Sequence, residues 1–265
     1  MTRVLFLHIG MGRTGSSALQ VAFARSASRL RQQGINYRTN WNVWRARAGR
    51  VTAGNGAALF HELFPELLRK SAYREDKARR AFQSYFGGAR HLGGLITSRS
   101  YDKALISSEL FSSMDDVAWQ RLRALAAGID VRVIAVVRNV LPALLSAHGR
   151  HVGRGITSQS FEDYVMPRPG LYLSGPALRR AVDTFGRDAC TVIHYDTDRQ
   201  NLAERMFNAL GLAVPEGRPV PSINSWPGKG SLTPEGRAIL ENRYTPDVEW
   251  LNQTFFGGKE VVRFD

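Results

Sequence analysis

Val4-Leu5-Phe6-Leu7-His8-Ile9-Gly10-Met11-Gly12-Arg13-Thr14-Gly15-Ser16-Ser17 is the stretch on which the reading of this chain turns. Its first six residues form an apolar run of strand length that stops at Gly10. Beyond the glycine-punctuated loop, Leu19, Ala22, Phe23, Ala27 and Leu30 recur at helical spacing. Strand, tight loop and amphipathic helix in that order open an α/β domain. The backbone N–H groups of such a loop can turn inward and the helix N-terminus can hold a phosphate, with the hydroxyls of Thr14, Ser16 and Ser17 as further donors. The loop is therefore expected to be an anion cradle built from Gly12, Arg13, Thr14, Gly15, Ser16 and Ser17.

Working outward, strands are expected at residues 104–107, 131–137 and 190–194, the second of these being β-branched almost throughout. Helices are expected at about residues 114–127 with Ser113 as cap, 141–152, 175–185 and 201–210, the last closed by Gly211. Thr233-Pro234-Glu235 and Thr245-Pro246-Asp247 each set a capping hydroxyl before a proline, which predicts two final helices. Strands separated by helices imply a P-loop-like α/β fold of three layers, a central parallel sheet flanked by helices, in one domain spanning residues 1–265.

The chain has 265 residues, of which 43% are hydrophobic and 22% charged, enough for a sizeable core. A single cysteine, Cys190, excludes an intrachain disulfide framework and a cysteine metal cage and suits a reducing compartment, so a cytoplasmic location is expected. No apolar stretch approaches the roughly 20 residues needed to span a bilayer. The net charge of +13 admits nucleic acid, an anionic membrane surface, an acidic substrate or a polyphosphorylated cofactor as partner. Between Val21 and Ser100, 15 Arg/Lys stand against four acids, which accounts for +11 of that charge. This segment is far longer than an ordinary crossover between strands, and it carries Tyr37, Trp41 and Trp44 among its cations. Residues 36–100 are read as a basic, acceptor-binding insertion, the bland alternative being a solvated basic face.

A second anion site follows the third expected strand, where Arg138 ends the strand and Ser146 lies eight residues later on the next helix. Cation and hydroxyl can converge at the carboxyl edge of the sheet, where ligands bind in open α/β sheets. Two such sites suit a nucleotide with phosphates at both ends of its ribose.

These residues resemble the sulfotransferase superfamily. Gly10 to Gln20 is similar to its 5′-phosphosulfate loop, and Arg138-Asn139 with Ser146 is similar to its 3′-phosphate motif. His194-Tyr195-Asp196 is similar to the family's Y-E-D, and residues 207–212 resemble the segment that follows it. The resemblance implies 3′-phosphoadenosine 5′-phosphosulfate as co-substrate, adenosine 3′,5′-bisphosphate as product and no metal. It also implies transfer of a sulfuryl group to a hydroxyl of a glycan, lipid or small metabolite. Arg13 stands where the family has lysine, and Val140 where it has proline. Arginine stays protonated, so Arg13 is expected to stabilise the departing phosphate by charge rather than to donate a proton. Tyr195 joins the nucleotide site, and Lys229 with Gly230, in the glycine-bounded loop 224–231, resembles the adenine lid. Glu109, just past the second expected strand, is the candidate base. The Arg13 cluster and the Arg138–Ser146 cluster are expected to face each other across a gap one adenosine wide.

The basic charge favours an acidic acceptor or contact with an anionic membrane, and nucleic acid is not an expected partner. Two other classes compete. A P-loop kinase needs a lysine after the last glycine and a strand-end aspartate for magnesium, whereas Ser16 occupies the first position and no such aspartate is found. A non-catalytic polyanion binder fits the charge but gives no reason for the second anion site. His8 reads as a hydrogen-bonded core residue, His148 could line the site, and His61, His91, His151 and His194 show no metal-ligand spacing.

Overall fold

Apolar residues on both faces of each long strand require cover on both sides, and the fold supplies it. The computed structural model describes residues 3–37, 41–50, 52–64, 101–213 and 228–265. Within these, β1 (Val4–Gly10), β2 (Ile35–Asn36), β3 (Lys103–Ser108), β4 (Asp130–Val137) and β5 (Cys190–His194) form one parallel sheet in the order β2-β3-β1-β4-β5. The two-residue side-chain period divides β1 between two cores. Leu5, Leu7 and Ile9 pack with Ile106, Val133 and Ala135 against helices 57–63, 116–125 and 175–185. Phe6 joins Leu105, Ile134, Val136 and Ile193 against helices 16–25, 27–32 and 202–209. The architecture is thus the expected three-layer α/β sandwich. A third cluster, Leu144, Ala147, Phe161, Tyr164, Leu240 and Tyr244, joins helix Val140–Gly153 to the C-terminal helix.

The expected strands agree with the observed ones to within a residue or two at each end. β2 was not foreseen, since two residues carry no periodicity. The first helix bends at Ser26, giving Ser16–Arg25 and Ala27–Gln32. The helix expected to start after Ser113 begins at Asp116 instead, because residues 109–113 form a 3-10 turn and Asp115 accepts the Ala118 N–H at 2.8 Å.

The two expected C-terminal helices are one, Pro234–Phe255, with Pro246 in its interior. An internal proline costs about 3 kcal/mol. Contacts on both sides of it hold the helix together. The Tyr244 hydroxyl donates to Leu171 O at 2.6 Å, and Asp247 Oδ2 accepts the Gly175 N–H at 3.0 Å. Thr245 caps nothing; its hydroxyl donates back to Glu241 O at 2.7 Å.

β2 pairs only with the start of β3, at Lys103 and Ala104. Beyond that, the edge of β3 is completed by a side chain. Asn55 donates to Leu105 O at 3.0 Å and accepts the Ser107 N–H at 2.7 Å, so its carboxamide takes the place of a strand. Gly54, at φ +79°, passes so close that a Cβ there would lie 2.0 Å from Ser107 O. Of the basic insertion, residues 38–40, 51 and 65–100 lie outside the described residues, as do residues 224–227 of loop 224–231. No helix among the described residues is long and apolar enough to cross a membrane.

Asn55→Ala leaves a buried donor and acceptor of β3 without partners, and should cost about 2–3 kcal/mol in urea unfolding. A loss below about 0.5 kcal/mol, the range of an ordinary surface change, would show that the carboxamide does not complete the sheet.

Candidate active site

The β1 loop is wound around one carbonyl. Thr14 Oγ1 donates to Met11 O at 2.7 Å, and Ser16 Oγ reaches the same oxygen at 3.4 Å. Both hydroxyls are buried inside the loop, whereas Ser17 is half-buried. Gly15, at φ +79°, turns the chain into helix Ser16–Arg25. That helix has no side-chain cap and no acid in its first turn, which leaves its positive end bare for an anion. Tyr195 lies against the turn: a Cβ on Gly15 would sit 3.0 Å from its ring.

Arg13 also has a left-handed backbone, at φ 67°, which costs an ordinary residue about 1–2 kcal/mol. This conformation sends its side chain along the carboxyl edge to helix Val140–Gly153, where Nε and Nη2 donate to Ser146 Oγ at 2.9 and 2.8 Å. Arg138 is not on Ser146. Its Nη1 donates to Arg13 O at 3.2 Å, its Nε to Asp196 Oδ1 at 3.1 Å, and its guanidinium stacks 4.8 Å above the Tyr195 ring. The expected pairing of Arg138 with Ser146 is thus replaced by two clusters linked through Arg13.

Glu109 opens the 3-10 turn after β3. Burial pushes its carboxyl above the ordinary value, against the opposing pull of Arg150 and then Arg13. Burial likewise pushes Arg13 down, with Arg150 as the next cause. Tyr172 completes the group. It has a left-handed backbone at φ 59°, and its ring covers the loop so closely that a Cβ on Gly12 would lie 2.2 Å from Cε1.

Lys229 and Gly230 are exposed. Their neighbour Gly228 packs against Leu145, beside Ser146, with a Cβ there only 2.0 Å from the Leu145 carbonyl oxygen. Gly228 of loop 224–231 therefore lies against the helix that carries Ser146. His148 turns away, with Nε2 on Gln159 O at 3.0 Å. His8 is a core residue, 2.8 Å from Ser107 Oγ and pushed by burial down to about 4.

A sulfotransferase from Alicyclobacillus acidocaldarius aligns over 96% of each chain at a TM-score of 0.54 and 17% identity. The chain shares that protein's fold. Sulfotransferase domains from the curacin biosynthetic pathway and from the Synechococcus olefin synthase align over 82% and 81% of this chain. They cover 76% and 75% of their own lengths, at TM-scores of 0.43 and 0.45 and 12% and 14% identity. No protein-family profile and no curated protein sequence matches.

On this sulfotransferase fold, sequence reasoning left out three residues of the site. Asp196 was visible only as part of a matching tripeptide. Arg150 lies four residues after Ser146 and so on the same helix face, a spacing that could have found it. Tyr172 is in an irregular segment and carries no sequence signal.

The upward shift of Glu109 has a sign. A carboxyl with raised proton affinity in the folded state disfavours folding once it ionises, so its cost appears as pH rises above the ordinary carboxylate range. Glu109→Gln should therefore melt higher than the parent at pH 7–8, with the difference shrinking as pH falls to 4. Equal melting temperatures across that range would mean that the carboxylate is not desolvated.

Proposed function

We propose that this protein moves a sulfuryl group from 3′-phosphoadenosine 5′-phosphosulfate to an alcohol, on a glycan, lipid or small metabolite, and leaves adenosine 3′,5′-bisphosphate. The observation that carries this reading is the bond from Arg13 to Ser146, because it joins residues of the two expected anion sites at one sheet edge, beside Glu109.

The residues suit the donor. The uncapped helix start and the N–H groups of the Gly12–Ser17 loop would receive its 5′-phosphate. Arg138, Ser146 and Lys229 would hold the 3′-phosphate, with Tyr195 beside them. The donor supplies a sulfur that an alcohol oxygen attacks in line as the bond to the 5′-phosphate breaks. Arg13 holds the negative charge that gathers on the departing phosphate, and its permanent protonation makes it an electrostatic stabiliser. Glu109 takes the proton of the attacking hydroxyl, a task for which its raised proton affinity fits it. The kinase reading finds less support, since Ser16 stands where a phosphate-binding lysine would be and turns its hydroxyl into the loop.

Adenosine 3′,5′-bisphosphate should raise the melting temperature more than ATP with magnesium, because a ligand specific to the native state stabilises it. Greater stabilisation by ATP with magnesium would favour the kinase, and none by either would favour a polyanion binder. Arg138→Ala should weaken bisphosphate binding by about 10-fold or more, as expected for lost charged hydrogen bonds. Glu109→Gln should retain bisphosphate affinity while turnover collapses. Unchanged turnover would remove Glu109 as the base.

A further inference from the structure

Helix Val140–Gly153 presents two polar residues to the site. Ser146 is held by Arg13, and Arg150 lies one turn further on, about 6 Å along the axis. Arg150 carries the charge that acts most strongly on Glu109, ahead of Arg13, and it acts on Tyr172 as well. It is therefore within electrostatic reach of both Glu109 and Tyr172.

Its own bonding is incomplete. Arg150 Nε is buried and, among the described residues, has no hydrogen-bond partner. A buried donor without an acceptor is costly and is uncommon in folded proteins. The carboxylate on which Arg150 acts, Glu109, does not remedy this, since it must be free to receive a proton in the proposed reaction. None of the loop or strand-end positions suited to the nucleotide's phosphates is residue 150. An anion arriving with the second substrate would supply the acceptor that Arg150 Nε lacks.

We propose that Arg150 is a specificity residue that selects alcohol acceptors carrying a carboxylate, sulfate or phosphate group near the reacting hydroxyl. This rests on the sulfuryl-transfer reading of the same site. A guanidinium offers paired N–H donors that match such planar or tetrahedral oxyanions, and it does not lose its charge at any working pH. Docking the anion there would bring the neighbouring hydroxyl to Glu109.

The test uses the full chain saturated with adenosine 3′,5′-bisphosphate and matched probe pairs: D-glucuronate with methyl glucoside, D-galacturonate with methyl galactoside, and 4-hydroxybenzoate with 4-hydroxybenzyl alcohol. Binding is read by saturation-transfer NMR, and bisphosphate affinity separately by calorimetry. The parent protein should bind the carboxylate members at least about tenfold more tightly, a preference of roughly 1.4 kcal/mol. Arg150→Met, which keeps the apolar stem, should abolish that preference while bisphosphate affinity stays within twofold. Arg150→Lys should keep part of it, so the charge is tested even if the methionine variant folds poorly. Equal binding of both members by the parent, or a preference that survives in Arg150→Met, would overturn the assignment. So would a tenfold loss of bisphosphate affinity in that variant, which would move Arg150 to the nucleotide. A parent protein that binds no bisphosphate but still prefers carboxylates through Arg150 would sink the sulfuryl-transfer reading and leave the anion site standing.

Discussion

Three parallel strands end level with one another, and the rest of the site depends on it. Ile9 pairs with Ser108 on one side and Ala135 on the other, and Gly10 pairs with Val136. Parallel pairing requires a crossover between strands, and those crossovers place helices on both faces. With β1 between β3 and β4, the chain leaves β1 toward one edge of the sheet and later takes up the other, so a crevice opens where β1 ends. Into it come the β1 loop, the turn that starts at Glu109, and Arg138. No single element could bring a cation, a carboxylate and a helix start together; the register does.

The left-handed backbone of Arg13 is the costly part of this arrangement, and it is fixed from two directions. Arg138 holds its carbonyl and Ser146 its guanidinium. Arg138 is in turn fixed by Asp196, whose other oxygen accepts the Asn139 N–H at 2.9 Å. Asn139 Oδ1 accepts from Arg263 N at 3.1 Å and lies 2.9 Å from His194 Nε2, which ties β4 to the end of β5 and to the last residues of the chain. Val140 has the N–H that a proline would lack, and donates it to Arg263 O at 3.0 Å, while Leu141 N donates to Phe264 O at 2.6 Å. The C-terminal segment thereby satisfies the start of the helix that carries Ser146 and Arg150. Backbone strain at Arg13 persists because the surrounding hydrogen bonds over-determine it.

The long strands were legible because burial on both faces demands continuous apolar runs, and Val131 to Val137 has almost no other interpretation. β2 was not, because Ile35 and Asn36 owe their pairing to β3 and not to any pattern of their own. The helix through Pro246 escaped for a related reason: Tyr244 and Asp247 supply tertiary contacts that local propensity cannot foresee. At the site, Arg13, Glu109 and Arg138 could be found as polar residues at strand ends. Their partners could not. Arg13 reaches Ser146 from a left-handed backbone, and the sequence names arginine at position 13 without saying that it turns left-handed. Tyr172 has another such backbone.

Glu109 is subject to opposing demands. A base needs high proton affinity, which burial provides, yet Arg150 and Arg13 pull that affinity down. The two arginines differ in what the proposed reaction does to them. Arg13 meets the phosphate of the donor, and Arg150 meets the anion of the acceptor. An anion seated on Arg150 would offset the stronger of the two positive charges acting on Glu109, so its carboxyl would rise further once the acceptor is bound. The base would then be strongest when a hydroxyl stands before it and weaker when the site holds only water. Charge on the acceptor would serve recognition and proton transfer together, through one guanidinium four residues from Ser146.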